Sequence, residues 1–137
     1  MSDAATTATA ATRLGIESGD VILDVGWDDD CDDAVRESVE AAAGRAVLDT
    51  EPEEPVDVVL FWFRAGDGDL DDMIAEAAEP LRDGGVLWIL TPGPGRPGHV
   101  DPADVAESAT VAGLAQVSTV SVGAWNAGRL VAPKSRD

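Results

Sequence analysis

Apolar residues along this chain fall into short dense runs separated by clusters of turn-forming residues. Val21 to Val25 reads V-I-L-D-V between Gly19-Asp20 and Gly26, and Val56 to Phe63 reads V-D-V-V-L-F-W-F. β-Branched and aromatic runs of this length predict strands covered on both faces. Val86 to Leu90, V-L-W-I-L after Gly84-Gly85, predicts another, and Arg45 to Leu48 a short one. Between them the spacing changes to that of helices. Asp32 to Ala43 carries acids in its first turn, a stripe of Val35, Val39 and Ala42, and Gly44 placed to close it. Leu70, Met73, Ile74, Ala77, Ala78 and Leu81 follow an i, i+3, i+4 register that predicts a helix capped by Asp69, with Pro80 bending its last turn. Asp101-Pro102 opens a third helix that runs to about Ala112 and closes at Gly113. Leu114 to Val122 alternates like a half-exposed strand, and Arg129 to Ala132 is expected to return beside it after a turn at Asn126-Ala127-Gly128. Thr91 to Val100 holds three prolines and three glycines in ten residues, which predicts an ordered turn or a lid.

This order of strands and helices predicts a three-layer α/β domain: a mostly parallel sheet with helices on both faces and a C-terminal antiparallel hairpin. Met1 to Thr12, almost all Ala and Thr, is expected to be a disordered tail, leaving residues 13–137 as one domain. One join is awkward. Only seven residues, Asp49 to Pro55, separate Leu48 from Val56, whereas a parallel crossover normally needs a dozen or more. Ligands in such sheets bind beyond the carboxyl ends of the strands. The crevice is therefore expected between 26–33 and 64–69, with 92–99 as a third wall.

Charge changes which partners fit. The net charge is −18, with 27 acidic and 9 basic residues, and the imbalance is N-terminal: residues 1–83 hold 23 acidic and 5 basic side chains, residues 84–137 four of each. So anionic a surface repels nucleic acid and anionic membranes. Cys31 is the only cysteine, which excludes internal disulfides and cysteine-based zinc sites and suggests a reducing compartment. No apolar run approaches the ~20 residues of a membrane span, and the N-terminus lacks the order of a signal peptide. A cytoplasmic location is expected.

Asp28, Asp29, Asp30, Asp32 and Asp33 gather hard oxygen ligands that would suit Ca²⁺ or Mg²⁺, and Asp67 and Asp69 are placed to face them. Helix capping and solvation are the ordinary reading of the same acids. Arg64 and Arg96 could hold a carboxylate or phosphate in the crevice; pairing with nearby aspartates is favoured. His99 is the only histidine, so neither a triad nor a histidine metal site can form, and it is expected to anchor its loop. Cys31 is expected as an exposed thiol blunted by neighbouring carboxylates. Trp27 is the tryptophan placed to line a ligand site. No catalytic residue is identified. The lightly charged strand at 116–121 could pair with a second copy of the chain, giving a homodimer.

V-I-L-D-V-G, the central V-D-V-V-L-F-W-F, L-R-D-G-G-V-L-W-I-L and the closing hairpin together resemble class I S-adenosylmethionine-dependent methyltransferases, a Rossmann-like fold. In that family glycines follow D-V-G and let the backbone approach the cofactor; here Trp27-Asp28-Asp29-Asp30 follow Gly26. The resemblance also places Asp49 where the family often has an acidic ribose ligand. Four further segments, G-W-D-D-D-C-D-D-A-V-R at 26–36, F-W-F-R-A-G-D-G-D-L-D-D at 61–72, T-P-G-P-G-R-P-G-H-V at 91–100 and R-L-V-A-P-K at 129–134, resemble an actinobacterial family known as domain of unknown function 3052. That likeness implies a small cytoplasmic domain and no particular activity. The expected role is a non-catalytic binding or regulatory module meeting a protein partner or small molecule, with no cofactor and S-adenosylmethionine disfavoured. The alternatives are a divergent methyltransferase and a divalent-cation-binding domain.

Overall fold

The computed structural model describes residues 13–29, 31–49 and 52–132. The expected tail, residues 1–12, and Asp30 lie outside them. Five strands form one sheet: β1 (Ile22–Val25), β2 (Val56–Trp62), β3 (Leu81–Pro92), β4 (Ala115–Val122) and β5 (Trp125–Val131), in the order β1-β2-β3-β5-β4. β1, β2 and β3 are mutually parallel; β5 runs antiparallel to both β3 and β4. Three helices among the described residues complete the layers: α1 (Asp33–Ala43), α2 (Leu70–Ala78) and α3 (Pro102–Val111).

Period-two alternation within the apolar runs builds both cores. Val58, Leu60 and Trp62 of β2 join Ile22, Trp88 and Trp125 beneath Val35, Val39 and Ala43 of α1. Val59, Phe61 and Phe63 point to the other face and pack with Ile74 and Ala77 of α2 and Val105 and Ala109 of α3. The continuous hydrophobic run of β2 is thus the signature of a strand covered twice. Each helix begins where an aspartate accepts a backbone N–H: Asp32 from Ala34, Asp69 from Asp71 and Asp101 from Ala103.

Four boundaries differ from the sequence expectation. The strand expected at 45–48 is reduced to one parallel bridge, Leu48 with Leu23, held by Leu48 N–H to Ile22 O and Asp24 N–H to Leu48 O, both 2.8 Å. β2 then opens at Val56, with seven residues of sequence intervening. α2 stops at Ala78 instead of reaching Leu81, because the Pro80 carbonyl is taken by Val56 N–H at 2.8 Å and Leu81 pairs with Val56 as the first residue of β3. The register then shifts before Val86 pairs with Val58, and the ion pair Asp57–Arg82 ties the irregular stretch down. The Arg82 guanidinium beside Asp57 holds that carboxyl below its usual range. β5 begins at Trp125, not Arg129: the turn is at Gly123-Ala124, where Gly123 has φ +60°, and Asn126 to Gly128 lie inside the strand. Thr91 and Pro92, expected in the loop, extend β3 against Asn126 and Trp125.

β4 is an outer edge, with Val117 exposed at its bulge and Ser121 O accepting from Arg13. No helix among the described residues is long and apolar enough to cross a membrane.

Candidate functional site

Gly26 ends β1 with φ +82°, and a β-carbon there would lie 2.5 Å from the Trp62 carbonyl. Glycine therefore lets the chain leave β1 against the end of β2. Arg64, two residues past β2, uses that closeness. Its Nη1 donates to Gly26 O at 3.0 Å and Trp62 O at 3.2 Å, its Nη2 to Cys31 Sγ at 3.0 Å, and its guanidinium lies 5.4 Å from the Trp125 ring centroid. Its side chain is only 15% exposed. Asp67 accepts from Arg64 N–H at 3.0 Å and sits 3.5 Å from Nη1, closing the turn that positions the arginine.

The third wall folds onto the same plug. Arg96 Nη1 donates to Ala124 O at 2.8 Å, and its guanidinium lies 5.6 Å from Trp125. His99 Nδ1 meets Pro92 O at 2.8 Å and holds the loop on itself, while Ala65 N–H bonds to Gly98 O. Trp27 is half-buried, edge-on to Trp62 at 5.4 Å, and Trp62 is edge-on to Trp125 at 4.9 Å; Arg36 stacks 4.7 Å from Trp27. Three indoles thus stand in a row, Trp27, Trp62 and Trp125, with Arg36 at one end and Arg64 and Arg96 at the other. The structure brings Trp27, Arg64, Asp67, Arg96 and His99 to one end of the sheet, where they fill the expected crevice with their own contacts.

The aspartate cluster is also engaged locally. Asp28 Oδ1 accepts from Asp29 N–H and its carbonyl from Cys31 N–H; Asp32 caps α1, and Asp69 caps α2. Among the described residues no three His, Cys, Asp or Glu side chains converge as a metal site, and Asp30 lies outside them. Cys31, expected as an exposed thiol, is buried: its sulfur faces the Arg64 guanidinium and Asp28 N–H rather than open solvent.

Asp24 was not singled out by motif reasoning. Its side chain is 1% exposed; Oδ1 accepts from Trp62 Nε1 at 2.6 Å, whereas Oδ2 has no hydrogen-bond donor and sees Arg36 Nε at 3.5 Å. Burial pushes its carboxyl up to about 6, against the lowering pull of the Trp62 N–H and Arg36, with Glu40 and Asp49 adding to the rise. The signal in the sequence was a single charge inside V-I-L-D-V.

Open space lies elsewhere. A cleft of about 640 Å³ opens beside β1 on the α2 face, running from Gly26 and Asp49 across Leu23, Phe61 and Met73 toward Pro80. No helix among the described residues covers this strip between Leu48 and Val56.

A family described as protein of unknown function (DUF3052) matches residues 11–134. Uncharacterized proteins of Mycobacterium bovis and Mycobacterium tuberculosis are 50% identical over 126 residues, covering 92% of this chain and 80% of theirs. Among solved structures, the O-methyltransferase NcsB1 from neocarzinostatin biosynthesis, in complex with S-adenosylmethionine and 2-hydroxy-5-methyl naphthoic acid, is similar at TM-score 0.65 and 15% identity, over 84% of this chain and 49% of its own. The calicheamicin-biosynthesis methyltransferase CalO1 gives 0.66 at 14% identity, over 95% and 54%, and the CcbJ methyltransferase of Streptomyces caelestis 0.58 at 12%, over 94% and 90%. The chain spans about half the length of the first two. At these identities the likeness is one of fold.

Proposed function

We propose that this chain, which belongs to the DUF3052 family of proteins of unknown function, is a non-catalytic binding or regulatory module built on a methyltransferase-like fold. The observation that carries this reading is the Arg64 plug: its guanidinium takes the carbonyls of Gly26 and Trp62 and stacks on Trp125, at the place where the fold's cofactor loop would open. Trp27 and Arg36 continue the filling over β1. The residues present at this end do not fit the methionine portion of S-adenosylmethionine, because backbone approach there needs small residues and a free strand end. What remains for a partner is the cleft beside β1, with its rim of glutamates.

A second reading, a divergent methyltransferase, is favoured by one observation, that the open cleft reaches both Gly26 and Asp49. Isothermal titration with S-adenosylmethionine separates the two. The module reading expects no heat of binding with ligand at millimolar concentration. Micromolar affinity that Asp49→Ala abolishes would establish the enzyme-type site instead. A divalent-cation reading expects millimolar Ca²⁺ or Mg²⁺ to raise the melting temperature through Asp28 and Asp29; an unchanged melting temperature disposes of it.

A further inference from the structure

We infer that the cleft beside β1 is a docking groove for a short basic amphipathic helix of a partner protein. The inference deepens the module reading and rests on it. A parallel sheet is covered by crossover helices, whereas only seven residues separate Leu48 from Val56, and the cleft beside β1 is lined by α2 residues and by Pro52 to Pro55 with no helix between them among the described residues. The accessible apolar lining of its floor comes from the half-buried Val25, Met73, Pro80 and Leu81, with Leu23 and Phe61 themselves buried. Its rim is acidic: Glu53, Glu54, Glu76 and Glu79 are all exposed, and none pairs with a cation among the described residues. No basic residue among the described ones lines it.

A floor of this kind accepts an apolar stripe at i, i+3, i+4 and i+7, and such a rim selects Lys or Arg along the margins of that stripe. An added helix would complete the layer that α2 and α3 begin. A nucleic acid or an anionic lipid surface would meet four carboxylates without a counter-charge and is disfavoured by the same rim.

The test uses the full chain and three synthetic fourteen-residue peptides: Leu at the stripe positions with Lys at the margins, the same composition scrambled, and the same stripe with Glu margins. Fluorescence anisotropy is expected to give a micromolar Kd for the first and at least tenfold weaker binding for the other two. Met73→Glu in the floor, and separately Glu76→Lys on the exposed rim, should each weaken the first peptide at least tenfold, with circular dichroism verifying the fold. Equal binding of the scrambled peptide, indifference to both variants, or no binding of the Lys-margined peptide each overturns the inference. The S-adenosylmethionine titration reads the module proposal independently, so either can fail alone.

Discussion

Asp24 makes stability depend on pH near neutrality. Burial raises its folded-state value to about 6 from 3.8, so its proton is favourable to the fold; that contribution is complete below about pH 4 and is lost as pH rises through 6. Asp24→Asn keeps an oxygen for Trp62 Nε1 and carries no charge. It is expected to stabilise the protein above pH 6 by up to about 3 kcal/mol and to make no difference below pH 4. Urea denaturation of both proteins at pH 4 and 7.5 checks this, and an equal difference at the two values would contradict it. Arg64 works in the opposite sense. Arg64→Leu leaves the carbonyls of Gly26 and Trp62 without their donor and should cost about 2 kcal/mol in the same measurement. The residues of this end were legible by type and position, since Trp27, Arg64, Asp67, Arg96 and His99 all arrive there. Their mutual contacts were not legible, because local sequence does not say whether an arginine at a strand end reaches outward or folds back over the neighbouring strand.

α1 is the only described helix on its face of the sheet, and its buried stripe of Val35, Val39 and Ala43 rests on Ile22 and Trp62. Val39 is completely buried, so Val39→Ala should cost roughly 2 kcal/mol, read as a shift in the urea midpoint. Asp32→Ala removes the helix cap and should cost about 1 kcal/mol; a neutral result would mean that solvent replaces the cap. At this scale the strand cores and helix starts were readable because alternation and capping are local. Helix and strand ends were not. Leu81 sits at a helical spacing from Leu70 and Ala77, yet the Pro80 carbonyl bonds to Val56 of another element, a contact with no local signature. Gly128 likewise resembles a turn residue, but it lies within β5, where the Gln116 side chain approaches the position a β-carbon would take.

For the molecule as a whole, charge opposes compaction. With −18 on 137 residues and the excess confined to the first 83, like charges crowd one part of the sequence, and folding brings them closer. Added salt shortens the reach of that repulsion from about 10 Å at 0.1 M to about 3 Å at 1 M. Raising NaCl over this range should increase stability by about 1 kcal/mol, seen as a higher melting temperature by differential scanning calorimetry. A falling melting temperature would show that pairs such as Asp57–Arg82 outweigh the repulsion. Composition made the charge legible, and the order of runs made the three layers legible. Where the free space lies was not legible, since it depends on how distant elements such as α2 and Pro52 to Pro55 meet beside β1.

The short link before β2 has a consequence for how the chain tolerates change. Only seven residues of sequence separate Leu48 from Val56, and β1 and β2 still pair in register from Ile22 with Val58 to Val25 with Phe61. Inserting a dozen helix-forming residues between Glu53 and Glu54 should therefore leave the sheet pairing intact and supply in cis what the strip over β1 lacks. The position is a natural graft point, at which chain length can grow without rewriting the scaffold.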